Sequence, residues 1–442
     1  MTTTTAEAAP KTTTRLSWIK SAATSELAPI WIAGILIRLL LMPVTVHSDI
    51  YSIYSRSYDA VSTGHWFSFS SQIVIQMAHN AWFALIQPLM PNSHGIWSPT
   101  AGDIGVGVQP EDLTRFLAYP HLARALFLMK LPYLAADLAT GYVMIKLVEP
   151  CWRRRILALW LLNPIVIFVS AVFGRHDSIS IAIVMLSTLF ALQGRRYVGV
   201  VLLGLGSAAR FFPAFLAPFY AFAFRRTRRE LYLLLGGLIG FWLVIELTVI
   251  AATGNSPTFA LINRYPHVEY LFGMSVDVGG GDSLFIFPFA YAMLFLWFVH
   301  YADGQMSAFI PVASTVMLVL FGFTYFNPQY AIWIVPYLIL AIYHDGRLIF
   351  THAVQILLLG LLALQWGAPL TWDLFQPLLG EHANTLPGPM NVIGAFIPAN
   401  IYLGVVRTLF TAVSLWLGFQ VMRRWHKSTR GLTTEELSNV AD

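Results

Sequence analysis

The stretch AVFGRHDSISI, residues 171–181, sets Arg175, His176 and Asp177 between two runs that are otherwise almost wholly apolar. Those runs, at about 156 to 173 and 178 to 193, approach the ~20 residues that span a bilayer. GRHDS therefore reads as a turn between two membrane helices. Whether it is a solvated turn or the edge of a site depends on what else reaches the same end of the bundle.

Of 442 residues, 57% are hydrophobic and 11% charged, against the roughly 25% charged content of soluble domains. The chain reads as an all-α polytopic membrane protein. A single cysteine, Cys151, excludes an intramolecular disulfide and a Cys-rich metal site. The net charge of +5 does not imply nucleic acid, because the basic residues cluster between apolar runs as the positive-inside rule arranges them. Residues 1–28, rich in Thr and Ala, are expected to form a disordered cytoplasmic tail. The first apolar run, 29 to 46, lacks a small-residue cleavage site and reads as an uncleaved anchor.

Further runs lie at about 119 to 147, 231 to 252, 284 to 300, 306 to 323, 329 to 343, 348 to 365 and 401 to 421, with a shorter pair at 197 to 224. Placing CWRRR (151–155), GRR (194–196), FRRTRRE (224–230), HDGR (344–347) and RRWHKSTR (423–430) inside gives about twelve transmembrane helices and cytoplasmic termini. The transmembrane domain then runs over 29–422, with an external first loop at 47–118 and a cytoplasmic tail at 423–442. Within that loop QIVIQMAHNAWFALIQPLM, 72–90, places Gln72, Gln76, His79, Asn80 and Gln87 on about a third of a helical wheel, the stripe of an interfacial helix rather than a span.

This parity brings the unusual polar residues to the outer ends of different spans. The first span ends in TVHSDIY, with His47 and Asp49, and the third in FGRHDS. Each leg of the short pair reaches roughly 20 Å, so its turn SAARFFP holds Arg210 below the outer surface of a ~30 Å core. FNPQY adds Asn327, Gln329 and Tyr330, and INRYPHVEY adds Arg264, His267 and Glu269. Taken singly each has a plainer reading: a helix-terminal carboxylate for Asp177, headgroup contacts for Arg175 and His176, snorkelling for Arg210, a Pro-marked helix start for FNPQY. Together on one face they describe a cavity opening outward. Deeper in the membrane, Arg38 and Asp137 lie at comparable depth and read as a structural pair. The GGLIG at 236–240 has the spacing of close helix packing. DVGGGDS, 277–283, lacks the GK[ST] of a P-loop, and no HExxH, GxSxG or zinc spacing occurs.

At these residues the chain resembles the GT-C superfamily of integral-membrane glycosyltransferases. LLNPIVIFVSAVFGRHDSISIAIVMLSTLFALQGRRYVGVVLLGLGSAARFFPAFLAPF, 161–219, is similar to that group's NP, GQxDS and K/R-x-x-P series, and FNPQYAIWIVPYL to its later outward-facing motif. The likeness is greatest to polyprenyl-phosphate-mannose-dependent mannosyltransferases and covers most of the chain up to about residue 365. The resemblance implies a catalytic carboxylate at Asp49, the GQxDS aspartate at Asp177 and the basic residue of the turn at Arg210. Two departures stand out: Arg175 replaces the usual Gln, and HSD replaces a DxD or ExD pair. The second weakens the case for a divalent metal, which is left possible but weakly supported, since hard cations prefer clustered carboxylate oxygens.

The donor so implied is a sugar, by family mannose, on a polyprenyl phosphate, and the acceptor is a hydroxyl of a lipid, glycan or protein. Transfer needs a base and groups that hold the leaving phosphate. Asp49 is the expected base and Asp177 the second catalytic candidate, positioning an arginine or the acceptor. Arg210, Arg175, His176 and Arg264 are candidates for the phosphate, and His47, Asn327, Gln329, Tyr330, His267 and Glu269 for the substrates. Direct displacement by one carboxylate inverts the anomeric centre. Competing classes are a secondary transporter, which would pair interrupted helices in both halves, and a GT-C-like protein without catalysis. With no sequon or retention signal, a prokaryotic plasma membrane is preferred over the endoplasmic reticulum.

Overall fold

The computed structural model describes residues 26–67, 72–98, 108–264 and 267–438. The tail expected over 1–28 lies, up to residue 25, outside them. Each apolar run has a helical counterpart. Helix α1 (Ala28–Leu41) opens the bundle, and α2 (Ser48–Thr63), α3 (Ile73–Ile86) and α4 (Pro110–Leu117) follow at one end of it. Then come α5 (Leu122–Lys146), α6 (Arg153–Leu161), α7 (Asp177–Leu192), α8 (Arg196–Ala209), α9 (Ala217–Phe224) and α10 (Arg228–Thr253). The chain closes with α11 (Pro257–Arg264), a hairpin of β1 (Ser275–Gly279) and β2 (Asp282–Phe285), α12 (Ile286–Ala302), α13 (Phe309–Phe323), α14 (Val335–Ile342), α15 (Gly346–Ala363) and α16 (Ala399–Ser438).

Among the described residues, four helical segments are long and apolar enough to cross a membrane, and up to six if two bent pairs count as one span each. Others are short: the 16 residues of α7 reach roughly 24 Å at 1.5 Å per residue. On α10, Ile239, Val244 and Leu247 are more than 60% exposed; so much open apolar surface on a well-formed helix marks a face that lipid covers. The residues expected as a tail after 422 continue α16 as helix as far as Ser438.

Three features depart from simple spans, and each shapes one end of the bundle. The third run breaks at Asn163–Pro164, where the Asn163 side chain caps the new helix by accepting from Ile165 N at 3.0 Å, and the chain bends by 49°. It then ends in a π-helical stretch, Phe168–Phe173. The turn to α8's partner is tight: α8 stops at Ala209, Arg210 is extended, and a 3-10 turn, Phe212–Leu216, leads into α9. The run at 329–343 likewise starts as a 3-10 stretch, Pro328–Ile334.

Two expectations are corrected. The polar stripe of α3 does not face the bilayer surface. Gln76, His79 and Asn80 are buried, with Gln76 Nε2 donating to Ser57 Oγ at 3.1 Å and to Asn80 Oδ1 at 2.8 Å. The exposed side of this segment is Leu85 and Leu89. An amphipathic helix packed on a polar cavity points its polar face inward, so the stripe is correct and its direction reversed. The GGLIG spacing does not mediate packing as a pair, because a Cβ at Gly236 or Gly240 would meet open space. Close approach belongs to α8 instead, where a Cβ at Gly199 would fall 2.9 Å from Ser187 O and one at Gly206 2.6 Å from Val184 Cγ2.

The structural pair forms as expected. Arg38 Nε donates to Asp137 Oδ2 at 3.0 Å, its Nη1 donates to the Gly34 and Leu161 carbonyls, and both side chains are fully buried. The pair joins α1, α5 and α6. Removing one partner strands the other: Asp137→Leu is expected to destabilise by about 3–5 kcal/mol, and Arg38→Met combined with Asp137→Leu to regain much of that loss. Thermal unfolding of the detergent-solubilised protein measures both.

Candidate active site

At one end of the bundle four ionised side chains alternate in sign. Arg175 Nη1 donates to Asp49 Oδ2 at 2.6 Å, and its Nε lies 3.7 Å from Asp177 Oδ2. Arg210 Nε donates to Asp177 Oδ1 at 3.0 Å. Asp49 and Asp177 therefore share one arginine and lie on the same side of the protein. Trp333 Nε1 also donates to Asp177 Oδ1, at 2.9 Å, and Arg210 Nη1 to Gln72 Oε1, at 3.0 Å. The Arg210 guanidinium sits 4.8 Å from the centre of the Tyr330 ring, a cation–π contact.

The local chain explains each placement. Asp49 stands in the first turn of α2, whose N-cap is His47; its Nδ1 accepts from Asp49 N at 3.1 Å, so the imidazole proton sits on Nε2. The His47 ring stacks on Phe173 at 3.8 Å. Arg175 follows the π-helical stretch, and Asp177 opens α7, where the helix dipole favours an anion.

Lys130, on α5, holds the two strands of this turn together. Its Nζ lies 2.6 Å from Thr45 O, 2.8 Å from Thr45 Oγ1, 2.9 Å from Ala171 O and 3.1 Å from Val172 O. The last two are carbonyls at the C-terminus of a helix, which need a partner from outside it. One buried ammonium so ties the residue two before His47 to the residues just before Arg175. Gly174 between them has φ +76°, and a Cβ there would come within 2.9 Å of Ile50 Cδ1 and 3.0 Å of Lys130 Cε. Glycine is required both by the backbone and by the space.

The electrostatics separate the two carboxylates. Asp177 is fully buried with both oxygens facing cations. The Asp49 side chain is 33% exposed, and among the described residues no hydrogen bond is made to its Oδ1. Burial pushes its pKa up, but Arg175 first, then His47, Arg56 and Arg210, outweigh it and hold it below the ordinary carboxylate value. His47 is pushed down to about 4, chiefly by burial. His176, in the turn, is also driven well down by burial and by Arg175 and Arg210. It is a neutral imidazole, and neither ring nitrogen finds a partner among the described residues. Arg210 Nη2 is likewise buried without a hydrogen bond. The Arg210 Nη2 and one His176 ring nitrogen are donors, and the other His176 nitrogen an acceptor, that a polar substrate could engage.

Of the other expected residues, Gln329 is buried and Asn327 half-buried beside Tyr330. Glu269 is exposed and no hydrogen bond or ion pair joins it to the charge array among the described residues, while the side chains of Arg264 and His267 lie outside the described residues. No three His, Cys, Asp or Glu side chains converge as a metal ion would need, among the described residues. Asp49 and Asp177 instead give their oxygens to guanidinium groups.

Four contributors went unread in the sequence. Lys130 and Asp137 are seven residues apart, and so are Asp49 and Arg56; two helical turns put each pair on one face, so both additions carried a signal. Gln72 was legible only as a member of the polar stripe, and Trp333 carried no signal, since their contacts join segments 138 and 156 residues distant.

Residues 75–226 match the MptA_B family, described as Alpha-(1->6)-mannopyranosyltransferase, N-terminal domain. The chain is a membrane glycosyltransferase. The matched region includes Lys130, the GRHDS turn and Arg210, and stops short of Asp49, Tyr330 and Trp333. No curated protein and no solved structure matches the chain. The match thus covers the half of the site that holds Asp177. Arg175 replaces the glutamine of the GT-C pattern, and in the fold it supplies the cation that joins the two acids.

Arg175→Gln is expected to move the acid limb of the kcat/KM profile upward, because the largest charge holding Asp49 down is removed. With Asp49 as the base, the wild-type limb is expected below the ordinary carboxylate range; pH–rate profiles of both proteins check the difference. Lys130→Met is expected to lower kcat by about 10² or more, since roughly 1 Å of misplacement costs that much, while Lys130→Arg restores part of it.

Proposed function

We propose that the protein transfers mannose from a polyprenyl phosphate to an acceptor hydroxyl on the outer face of the membrane, in one inverting step with Asp49 as general base. The single observation that carries this reading is the partition of the two acids: Asp177 is fully buried with an arginine facing each oxygen, whereas the Asp49 side chain is 33% exposed and can meet an incoming hydroxyl.

In that step the acceptor oxygen attacks the anomeric carbon, the bond from that carbon to the phosphate oxygen breaks, and Asp49 Oδ1 takes the hydroxyl proton. The bonding pair leaves with the polyprenyl phosphate. Arg210 Nη2 and the His176 ring are the donors nearest to hand for the charge that develops there, and Arg175 keeps Asp49 ionised until the hydroxyl arrives. Arg56, Arg175 and Arg210 against Asp49 and Asp177 leave the region with more positive than negative charge, which suits an anionic donor.

The donor tail has a fitting place. Two apolar grooves, of about 430 and 260 Å³, share Pro328 and Leu359, two residues before Tyr330 and hence close to Arg210. Phe326, Leu362 and Trp366 line the larger groove, a surface suited to an isoprenoid chain between helices. The outward orientation and the count of about twelve spans belong to the same reading: Arg196–Glu230 and Arg225–Asp303 pairs gather the basic clusters at the opposite end, which the positive-inside rule assigns to the cytoplasm.

A family described by α-(1→6) bonds and an inverting base together require the sugar to be β-linked on the donor. Asp49→Asn is expected to lower transfer by about 10²–10⁴-fold while donor binding persists. Arg210→Gln is expected to weaken the donor instead. Membranes given a labelled β-linked mannosyl phosphate lipid should form an α product; a β product, or full activity in Asp49→Asn, overturns the proposal.

A further inference from the structure

Two of the contacts that hold the charge array come from one short stretch of chain. Tyr330 lies against the Arg210 guanidinium and Trp333 donates to Asp177, and both belong to the 3-10 turn Pro328–Ile334. That turn hangs from the end of α13 by residues 324–327. The last carbonyls of a helix have no N–H to accept from within it, and here α16 supplies the donors. Arg407 Nη2 donates to Phe321 O and to Gly322 O, each at 3.1 Å, and also to Thr324 O. One turn further along the same face, Thr411 Oγ1 donates to Gly322 O at 2.9 Å.

The guanidinium is braced on its faces as well as at its edge. It lies 5.1 Å from the centre of the Phe326 ring and 5.9 Å from that of Phe410, and the two rings are 5.7 Å apart. Phe326 packs on Phe321 at 5.0 Å, and Phe321 on Phe212 at 5.5 Å. Phe212 in turn meets Tyr330 at 5.1 Å and Trp333 at 5.7 Å. A continuous series of rings thus joins Arg407 to the two side chains that touch Arg210 and Asp177. Among the described residues no carboxylate pairs with Arg407, whose charge rests on carbonyls and rings. A cation in an apolar span is costly, so its place there points to what it holds.

We propose that Arg407 is a positioning residue of the active site. By fastening the end of α13 to α16 and bracing Phe326, it fixes where Tyr330 and Trp333 stand, and through them the orientation of Arg210 and Asp177. Lys130 does the same for the GRHDS turn, so each half of the site is set by a cation that collects carbonyls at a helix C-terminus. The consequence for turnover rests on the transfer reading given above; the placement of Trp333 does not.

The test is fluorine NMR of the detergent-solubilised full-length protein labelled with fluorotryptophan, in which the resonance that Trp333→Phe removes is that of Trp333. Arg407→Met is expected to shift or broaden this resonance, and Arg407→Lys, which keeps the charge and loses the stacked plane, to displace it part of the way. Thr411→Val loosens the same junction of α13 and α16 but leaves the guanidinium in place, and should leave the resonance unmoved. With a mannosyl phosphate lipid as donor, kcat/KM should fall by about tenfold or more in Arg407→Met and hold in Thr411→Val. A Trp333 resonance unmoved in both Arg407 variants, an equal displacement by Thr411→Val, or full turnover in Arg407→Met overturns the proposal. The expected displacement in a protein that transfers no mannose supports the placement and refutes the donor reading instead.

Discussion

Charge buried in an apolar bundle has to be neutralised locally, because each ion taken from water costs several kcal/mol unless a partner and further hydrogen bonds repay it. The series Asp49, Arg175, Asp177, Arg210 meets that requirement by alternation, and no member can be removed without exposing a neighbour. Its members come from the first helix exit, the GRHDS turn and the short helical pair, so the requirement also holds those three segments together. Lys130 obeys the same constraint in another form, with carbonyl oxygens in place of carboxylates. The π-helical ending at Phe168–Phe173 presents those carbonyls to one ammonium, as π-helical segments at functional sites often re-aim backbone groups.

The array divides labour between two groups that composition treats alike. Both acids are Asp, both lie at helix N-termini, and both touch Arg175. Trp333 and Arg210 saturate one oxygen of Asp177, which leaves it to orient cations. Asp49, at the rim, keeps a free oxygen and the ionised state, the two properties that proton transfer requires. In the proposed reaction a lowered pKa makes Asp49 a weak base at rest, and withdrawal of Arg175 toward the donor phosphate would strengthen it as the leaving group's charge develops.

The surroundings of the site are apolar on one side, where grooves border Pro328 and the Arg210–Tyr330 contact. In the proposed reaction the donor needs such a border, since its tail is not at home in water. Helices α7, α8 and α9 beside the site are short, of 16, 14 and 8 residues, and glycines allow α8 to pack closely.

Much of this was legible in the chain. Apolar runs located the helices because a bilayer imposes length and composition directly on sequence, and polar residues at the ends of those runs stood out because they are expensive there. Arg38 with Asp137, and the gathering of His47, Asp49, Arg175, Asp177, Arg210 and Tyr330, followed from depth and parity alone. Lys130 and Arg56 left the same mark at helical spacing. The inward direction of the Gln76–Asn80 stripe, the roles of Gln72 and Trp333, and the junction of Arg407 with the end of α13 were decided only by the tertiary structure. Periodicity states which residues share a face, but what that face meets depends on segments far away in the chain, and contacts at that separation leave no local pattern.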